Sequence, residues 1–297
     1  MTGVILIAFL WPMLHAICIL IDSHISNNLF KKYTAIIFYA SLTNIIAAAM
    51  VLFFGMPQAI SLSTLFFLFL ISFIGVFYQF PYYMAHRKGD ASVTCALFSL
   101  AYVFVPVLAY LFVGERLKII QYVGIGLILI ASLALNLNGI KKVKLNLAFY
   151  LMLLVAFLLS LELVIYKYVL DTIDWISAIF YTSVLSLPIT LSFLLFKKSR
   201  HTVIQALPEY KKRFKYFIGN ELFYQSGHLA GIFAMSFLPV TVLEGIGSTQ
   251  ALFVLFFGFI LYRLFGHKGQ ESLSKKDIVK KTLCYVTIIA GVILLIN

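Results

Sequence analysis

The chain has 297 residues, 62% of them hydrophobic and 11% charged, with a mean hydropathy of +1.01. A soluble domain carries about 45–50% apolar and about 25% charged residues, so a soluble fold is excluded. Net charge is +12, yet the basic residues flank apolar blocks instead of forming one patch, so they speak of membrane topology and not of a nucleic-acid partner.

Windows of about 19 residues place ten apolar helices in chain order, here called spans 1 to 10: 2–21, 33–54, 62–85, 90–113, 117–137, 146–170, 174–196, 214–236, 239–263 and 278–296. Span 1 has no basic segment before it and no small-residue cleavage site after it, so it reads as a retained helix and not a signal peptide. Residues 33–86 hold no Asp, Glu, Lys or Arg and are broken midway by Gly55-Met56-Pro57-Gln58, which reads as two spans and a tight turn. Runs such as Thr64 to Phe77 are apolar on both parities, unlike the alternation of a barrel strand. The expected fold is all-α and integral to the membrane, with short connections and no soluble domain. Cys18, Cys95 and Cys284 lie scattered inside apolar blocks without CxxC spacing, so neither disulfides nor a metal site is expected, and no cofactor.

All basic residues except Arg116, Lys118 and Lys167 fall in or beside the connections after spans 1, 3, 5, 7 and 9. The positive-inside rule puts those odd-numbered connections in the cytoplasm and both termini outside, in an inner (plasma) membrane.

Shifting the chain by about half its length superimposes spans 1–5 on spans 6–10, and Phe77-Tyr78-Gln79 recurs as Phe223-Tyr224-Gln225. Residues 1–140 and 145–297 thus read as two five-helix repeats, and an odd helix number inverts the second relative to the first. Inverted repeats place a substrate site near the midplane where the halves meet. The stretch Pro106-Val-Leu-Ala-Tyr-Leu-Phe-Val-Gly114-Glu115-Arg116-Leu-Lys-Ile-Ile-Gln121-Tyr-Val-Gly124 resembles the end of helix 4 and start of helix 5 in EamA-type transporters of the drug/metabolite transporter superfamily. That resemblance implies a central cavity lined by spans 1, 3, 4, 6, 8 and 9. Two features depart from the family pattern. Tyr262-Arg263-Leu264-Phe265-Gly266 stands where a second Gly-Glu is expected, and Gly55 to Ser61 lacks the usual basic residues, which points to the family fold inserted the other way up.

No enzyme motif is present: there is no HExxH, no GxxxxGK[ST] and no GxGxxG after a strand. Polar and ionisable groups within spans are functional candidates by default. Glu162 with Tyr166 in span 6, Glu244 in span 9 and His228 in span 8 share a depth, and His15 with Trp11 in span 1 falls slightly deeper. Span 8 shows a stripe, Glu221, Tyr224, Gln225 and His228, on one helical face. Its counterpart in span 3 is Gln79, Tyr82 or Tyr83, and His86. Asn220 reads as structural, and Asp22, His24 and Asp171 as exposed and separate. Gly245 and Gly247 read as a flexible or close-packing point in span 9.

These residues make an acidic, imidazole-bearing and aromatic site without Lys or Arg at mid-depth. A cation or zwitterion fits it, with an ammonium held by a carboxylate and by ring faces. The expected function is secondary active transport, by alternating access, of a small nitrogen-bearing metabolite (an amino acid or an organic cation). Glu244 or Glu162 would couple it to protons, because a carboxylate in low dielectric can alternate between proton and substrate. A multidrug cation exporter needs the same groups in a looser pocket. A polytopic membrane enzyme or receptor is the alternative of another class.

Overall fold

The computed structural model describes residues 2–24, 32–88, 100–136, 147–250, 252–254, 256–257, 260 and 275–296. Among them all regular structure is helical: α1 (Thr2–His24), α2 (Tyr33–Thr43), α3 (Ile45–Val51), α4 (Leu62–Phe77), α5 (Gln79–Lys88), α6 (Ala101–Phe112), α7 (Ile119–Asn136), α8 (Leu147–Leu170), α9 (Trp175–Leu191), α10 (Lys197–Met235), α11 (Val240–Gly247) and α12 (Lys275–Ile296). A short 3₁₀ turn, Ser192–Leu195, prolongs α9.

Five stretches are long and apolar enough to cross a membrane: Thr2–Asp22, Tyr33–Val51, Leu62–Ala85, Phe149–Leu170 and Trp175–Leu195. In two of them the helix is interrupted for one residue, at Asn44 and at Tyr78. Ala101–Phe112, Ile119–Ala134, Val240–Val254 and Thr282–Ile296 are shorter apolar helices. Residues 90–99 of span 4, and 261–263 of span 9, lie outside the described residues, as do His86's surroundings. Large apolar side chains face outward: Phe66, Leu111, Ile130 and Ile293 are all more than half exposed. Such a surface suits a hydrocarbon solvent and not water.

One element differs from the expectation. Residues 197–213, read from their charge as a connection, are helix, and α10 runs unbroken for 39 residues through Pro208. Lys and Arg are good helix formers, and the buried residues Val203, Tyr210 and Phe217 repeat every seven positions, so this basic stretch has an inner face to pack.

Local chemistry fixes the helix ends. Ser61 caps α4, its hydroxyl accepting from the Thr64 N–H at 3.1 Å. Asp174 caps α9 from Ser177 N at 2.8 Å and also accepts from the Gln58 amide, while the Gln58 N–H donates to Ser177 Oγ at 2.7 Å. The turn 55–58 is thereby tied to the start of α9. Gly114, with φ of 69°, ends α6 in a conformation that favours glycine. That turn delivers Glu115 to the start of α11, where its carboxylate accepts from Val240 N at 3.0 Å and Thr241 N at 3.2 Å. A carboxylate on the positive end of a helix dipole is favourable, and these N–H groups, in the first turn of α11, have no intrahelical acceptors.

The helices pack as neighbours α1 with α10, α8 with α4, α5 and α6, α9 with α3 and α4, α6 with α11, and α7 with α12. The last pair meets backbone to backbone: a Cβ on Gly124 would lie 2.7 Å from the Gly291 carbonyl oxygen, and one on Gly291 would lie 2.7 Å from that of Gly124. Small residues that let backbones approach are how helices associate where lipid supplies no hydrophobic driving force. Gly291→Val should therefore cost about 1–3 kcal/mol by overpacking. Gly126→Val, which meets nothing within 4 Å, should stay within about 0.5 kcal/mol of wild type. Thermal unfolding of the purified variants in detergent measures both, and equal melting temperatures would show that the backbone contact carries no stability.

Candidate functional site

The site is organised by α10. Gly227 and Gly231 stand one turn apart on it and open its surface to α1. A Cβ on Gly227 would lie 2.8 Å from His15 Cδ2, and one on Gly231 would lie 3.1 Å from the Trp11 ring. The far edge of the same indole rests on Gly247 of α11, where a Cβ would come within 2.9 Å. His15 is thus pressed onto α10: its Nε2 lies 3.3 Å from the Tyr224 carbonyl oxygen, and its ring stacks on that of Tyr224 at 4.7 Å and 8°. Trp11 meets His15 edge-on at 6.0 Å, and the parallel rings of Tyr224 and His228 follow at 6.1 Å.

Helix α8 closes the other side. The Tyr166 ring meets His228 edge-on at 5.7 Å, its hydroxyl lies 3.4 Å from His228 Nε2, and it donates to Thr182 Oγ1 of α9 at 2.9 Å. One turn earlier on α8, Glu162 packs against α4, where a Cβ on Gly75 would sit 3.2 Å from its Oε1. Its carboxylate makes no hydrogen bond or ion pair with the described residues, and it lies within electrostatic reach of Tyr78, Tyr166 and Tyr224. Trp11, His15, Glu162, Tyr166, Tyr224 and His228 therefore come together.

The other residues singled out from sequence go elsewhere. Gln225 turns to Glu221 and, at 3.2 Å, to Asn44 Oδ1, forming a separate polar group toward the basic end of α10. Gln79 donates to the Gly75 carbonyl at 3.0 Å and to Ser41 Oγ at 3.2 Å. Tyr82 packs against Tyr83. Glu244 does not join Glu162. With Tyr102, Pro106, Thr241 and Leu295 it lines a cavity of about 10 Å³ between α6, α7, α11 and α12, room for about one water. Gly245 there is a close-packing point, since a Cβ would lie 2.2 Å from Leu295 Cδ1. Asp22, read as exposed, is partly buried and accepts from Asn220 Nδ2 at 2.9 Å. Lys167 donates to the Met235 carbonyl at 3.0 Å and lies 4.0 Å from Asp171, at the end of the bundle away from the basic stretch.

Sequence reasoning passed over Tyr78, Thr182, Gly75 and the pair Gly227 and Gly231. The last had a signal, two glycines at i and i+4 in an apolar helix, which marks a close helix contact. Gly75 and Thr182 carried none. The assembled groups offer one carboxylate, two imidazoles and the faces of several rings, a set that can hold a cation and that has no Lys or Arg beside it among the described residues.

No curated protein matches the chain. Among solved structures, one crystal structure of a protein covers 99% of this chain and 96% of its own with a TM-score of 0.67 at 13% identity, which shows a shared fold. The model of the EamA-like transporter family matches residues 2–137, the stretch that holds α1 to α7 and supplies Trp11, His15 and Gly75 to the site. Over residues 2–137 the chain is thus similar to the EamA-like transporter family, part of the drug/metabolite transporter superfamily, and its apolar helices are those of a multi-pass membrane protein.

Proposed function

We propose that the chain is a secondary active transporter of a small nitrogen-bearing metabolite, an amino acid or an organic cation, working by alternating access and coupled to protons through Glu162. The observation that carries this reading is the Glu162 carboxylate itself. It has no hydrogen-bond donor or cation among the described residues, and it stands beside Tyr78, Tyr166 and Tyr224, between the end of α4, α8 and α10. A carboxylate left without a protein partner in low dielectric needs a proton or a bound cation. Both would compete for the same oxygens, which is what exchange coupling requires.

Two inverted repeats, 1–140 and 145–297, are part of the proposal. They are supported by the reciprocal Gly124–Gly291 contact and by neighbour pairs that a half-chain shift exchanges, α1 with α10 and α8 with α4. The basic end of α10 is proposed as cytoplasmic on the charge count.

Purified protein should be stabilised by ligands that carry an ammonium group and not by anions lacking one, since a ligand that prefers the folded state raises the melting temperature. Glu162→Gln should weaken that binding on the order of 10-fold or more, about 1.4 kcal/mol, and should abolish transport driven by a pH gradient in proteoliposomes. Glu244→Gln should leave ligand binding in place. Stabilisation by anions alone, or a Glu162→Gln variant with wild-type transport and pH dependence, would sink the reading. For sidedness, a Cys introduced at the exposed Gln205 should react in intact cells only with a membrane-permeant maleimide. Ready reaction with an impermeant reagent reverses the orientation.

A further inference from the structure

The first half of α10 takes no part in the transport site, yet it is the most basic stretch described. Between Lys197 and Lys215 stand Lys197, Lys198, Arg200, His201, Lys211, Lys212, Arg213 and Lys215. The single acid, Glu209, is held by Arg213 one turn on.

This stretch has two faces. Val203, Tyr210 and Phe217 are buried on the inner one. The Tyr39 hydroxyl of α2 donates to the Val203 carbonyl at 2.8 Å, and its ring stacks on Tyr210 at 4.0 Å and 8°. At 3.6 residues per turn, Lys197, Arg200, Ile204, Lys211 and Lys215 fall together on one flank, about a third of a turn round from the buried residues, and all five are exposed. Lys197, Lys198, Arg200, His201 and Ile204 together line one shallow, open surface at the start of α10.

The depth of this face follows from Tyr39. It lies six residues inside the apolar stretch Tyr33–Val51, roughly 9 Å from its end at about 1.5 Å per residue. Val203 and Tyr210, anchored to it, therefore hold this stretch against the first third of α2, from which Lys and Arg side chains can reach the lipid headgroups. Leu195 and Phe196, which lead into α10, are 82% and 66% exposed, and Ile204 is 59% exposed among the cations. Pro208 withholds the N–H that the Ile204 carbonyl would otherwise accept, so the helix has a point at which to bend between this shelf and the span.

We propose that this face is a binding surface for anionic phospholipids, with the headgroup phosphate held by Lys197, Lys198 and Arg200 and the acyl chains lying against Leu195, Phe196 and Ile204. Cations interleaved with exposed apolar side chains, within reach of the headgroups, match an anionic bilayer surface. A small soluble anion would leave the apolar groups unused.

The test uses the full chain in vesicles of phosphatidylcholine, with or without phosphatidylglycerol. Phosphatidylglycerol should raise the melting temperature of the wild-type protein. Neutralising Lys197, Lys198 and Arg200 together to Gln should at least halve that gain, while Arg116→Gln, at the other end of the bundle, should keep it. Inorganic phosphate added to pure phosphatidylcholine vesicles should give no rise. A rise with phosphate alone makes the site one for a free anion and overturns the proposal, as does an undiminished gain in the triple variant. A second measurement needs only the wild-type protein: mass spectrometry of the intact protein from mixed micelles should retain phosphatidylglycerol over phosphatidylcholine at equal concentration. Equal retention overturns the lipid assignment. Neither readout depends on the transported substrate, so the proposal stands or falls apart from the transport reading.

Discussion

The close approach of α1 to α10 is the constraint on which the site rests. Within a bilayer apolar side chains gain little by leaving lipid, so helices are held by direct packing, and packing is closest where side chains are smallest. Gly227 and Gly231 provide that closeness, and Trp11 and His15 fill it. With a methyl group at Gly227 the His15 ring would have to withdraw, and with it the stack on Tyr224 that carries the ring series to His228 and Tyr166. The helix contact and the grouping of the candidate site are here made by the same atoms.

The second constraint is the cost of polar groups in hydrocarbon, which most of this chain meets locally. Ser72, Thr182, Ser186 and Thr190 return their hydroxyls to carbonyls of their own helices. Asp22 has Asn220, Glu221 has Gln225, and Glu115 has two backbone N–H groups. Glu162 and Glu244 are the membrane-embedded carboxylates to which no such donor falls among the described residues. They differ in surroundings. Glu244 faces a space for one water between apolar walls, whereas Glu162 borders rings contributed by three helices. The aromatic faces beside it, and not the carboxylate alone, set Glu162 apart from a buried acid.

Most of the helical plan could be read from hydropathy, because a span is a local property of about 20 residues. Depth along a helix was equally legible, and it brought Glu162, His228 and Glu244 to one level, with His15 slightly deeper. Depth says nothing of azimuth, however, and Glu244 at the same level turns toward Tyr102 and Leu295. The polar stripe of α10 divides although its residues interleave in height: Gln225 donates to Glu221 and Asn44, while Tyr224 and His228 serve the rings. The helical extension of α10 was hidden by its charge, which resembles that of a loop unless the seven-residue recurrence of Val203, Tyr210 and Phe217 is weighed against it.

The unequal stiffness of these contacts bears on how such a site could open. Between α1 and α10 glycine meets ring with no room left for a methyl group, so sliding one helix on the other would drive the Trp11 and His15 rings into the side chains beside those glycines. Interiors packed this way are bistable units and not deformable ones. Across from α10 to α8 the contact is looser, an edge-on ring pair at 5.7 Å and a 3.4 Å approach of hydroxyl to imidazole. Helix α8 in turn packs on α4, α5 and α6. Under the alternating-access reading, the seam between the α1–α10 pair and the α8 group is then where little is lost on separation. Glu162 lies on the α8 side of that seam and the stacked imidazoles on the other, so a cation bridging them would bind one arrangement better than the other. A ligand shifts a conformational equilibrium only by such a difference in affinity, and this seam is the place in the structure where it can arise.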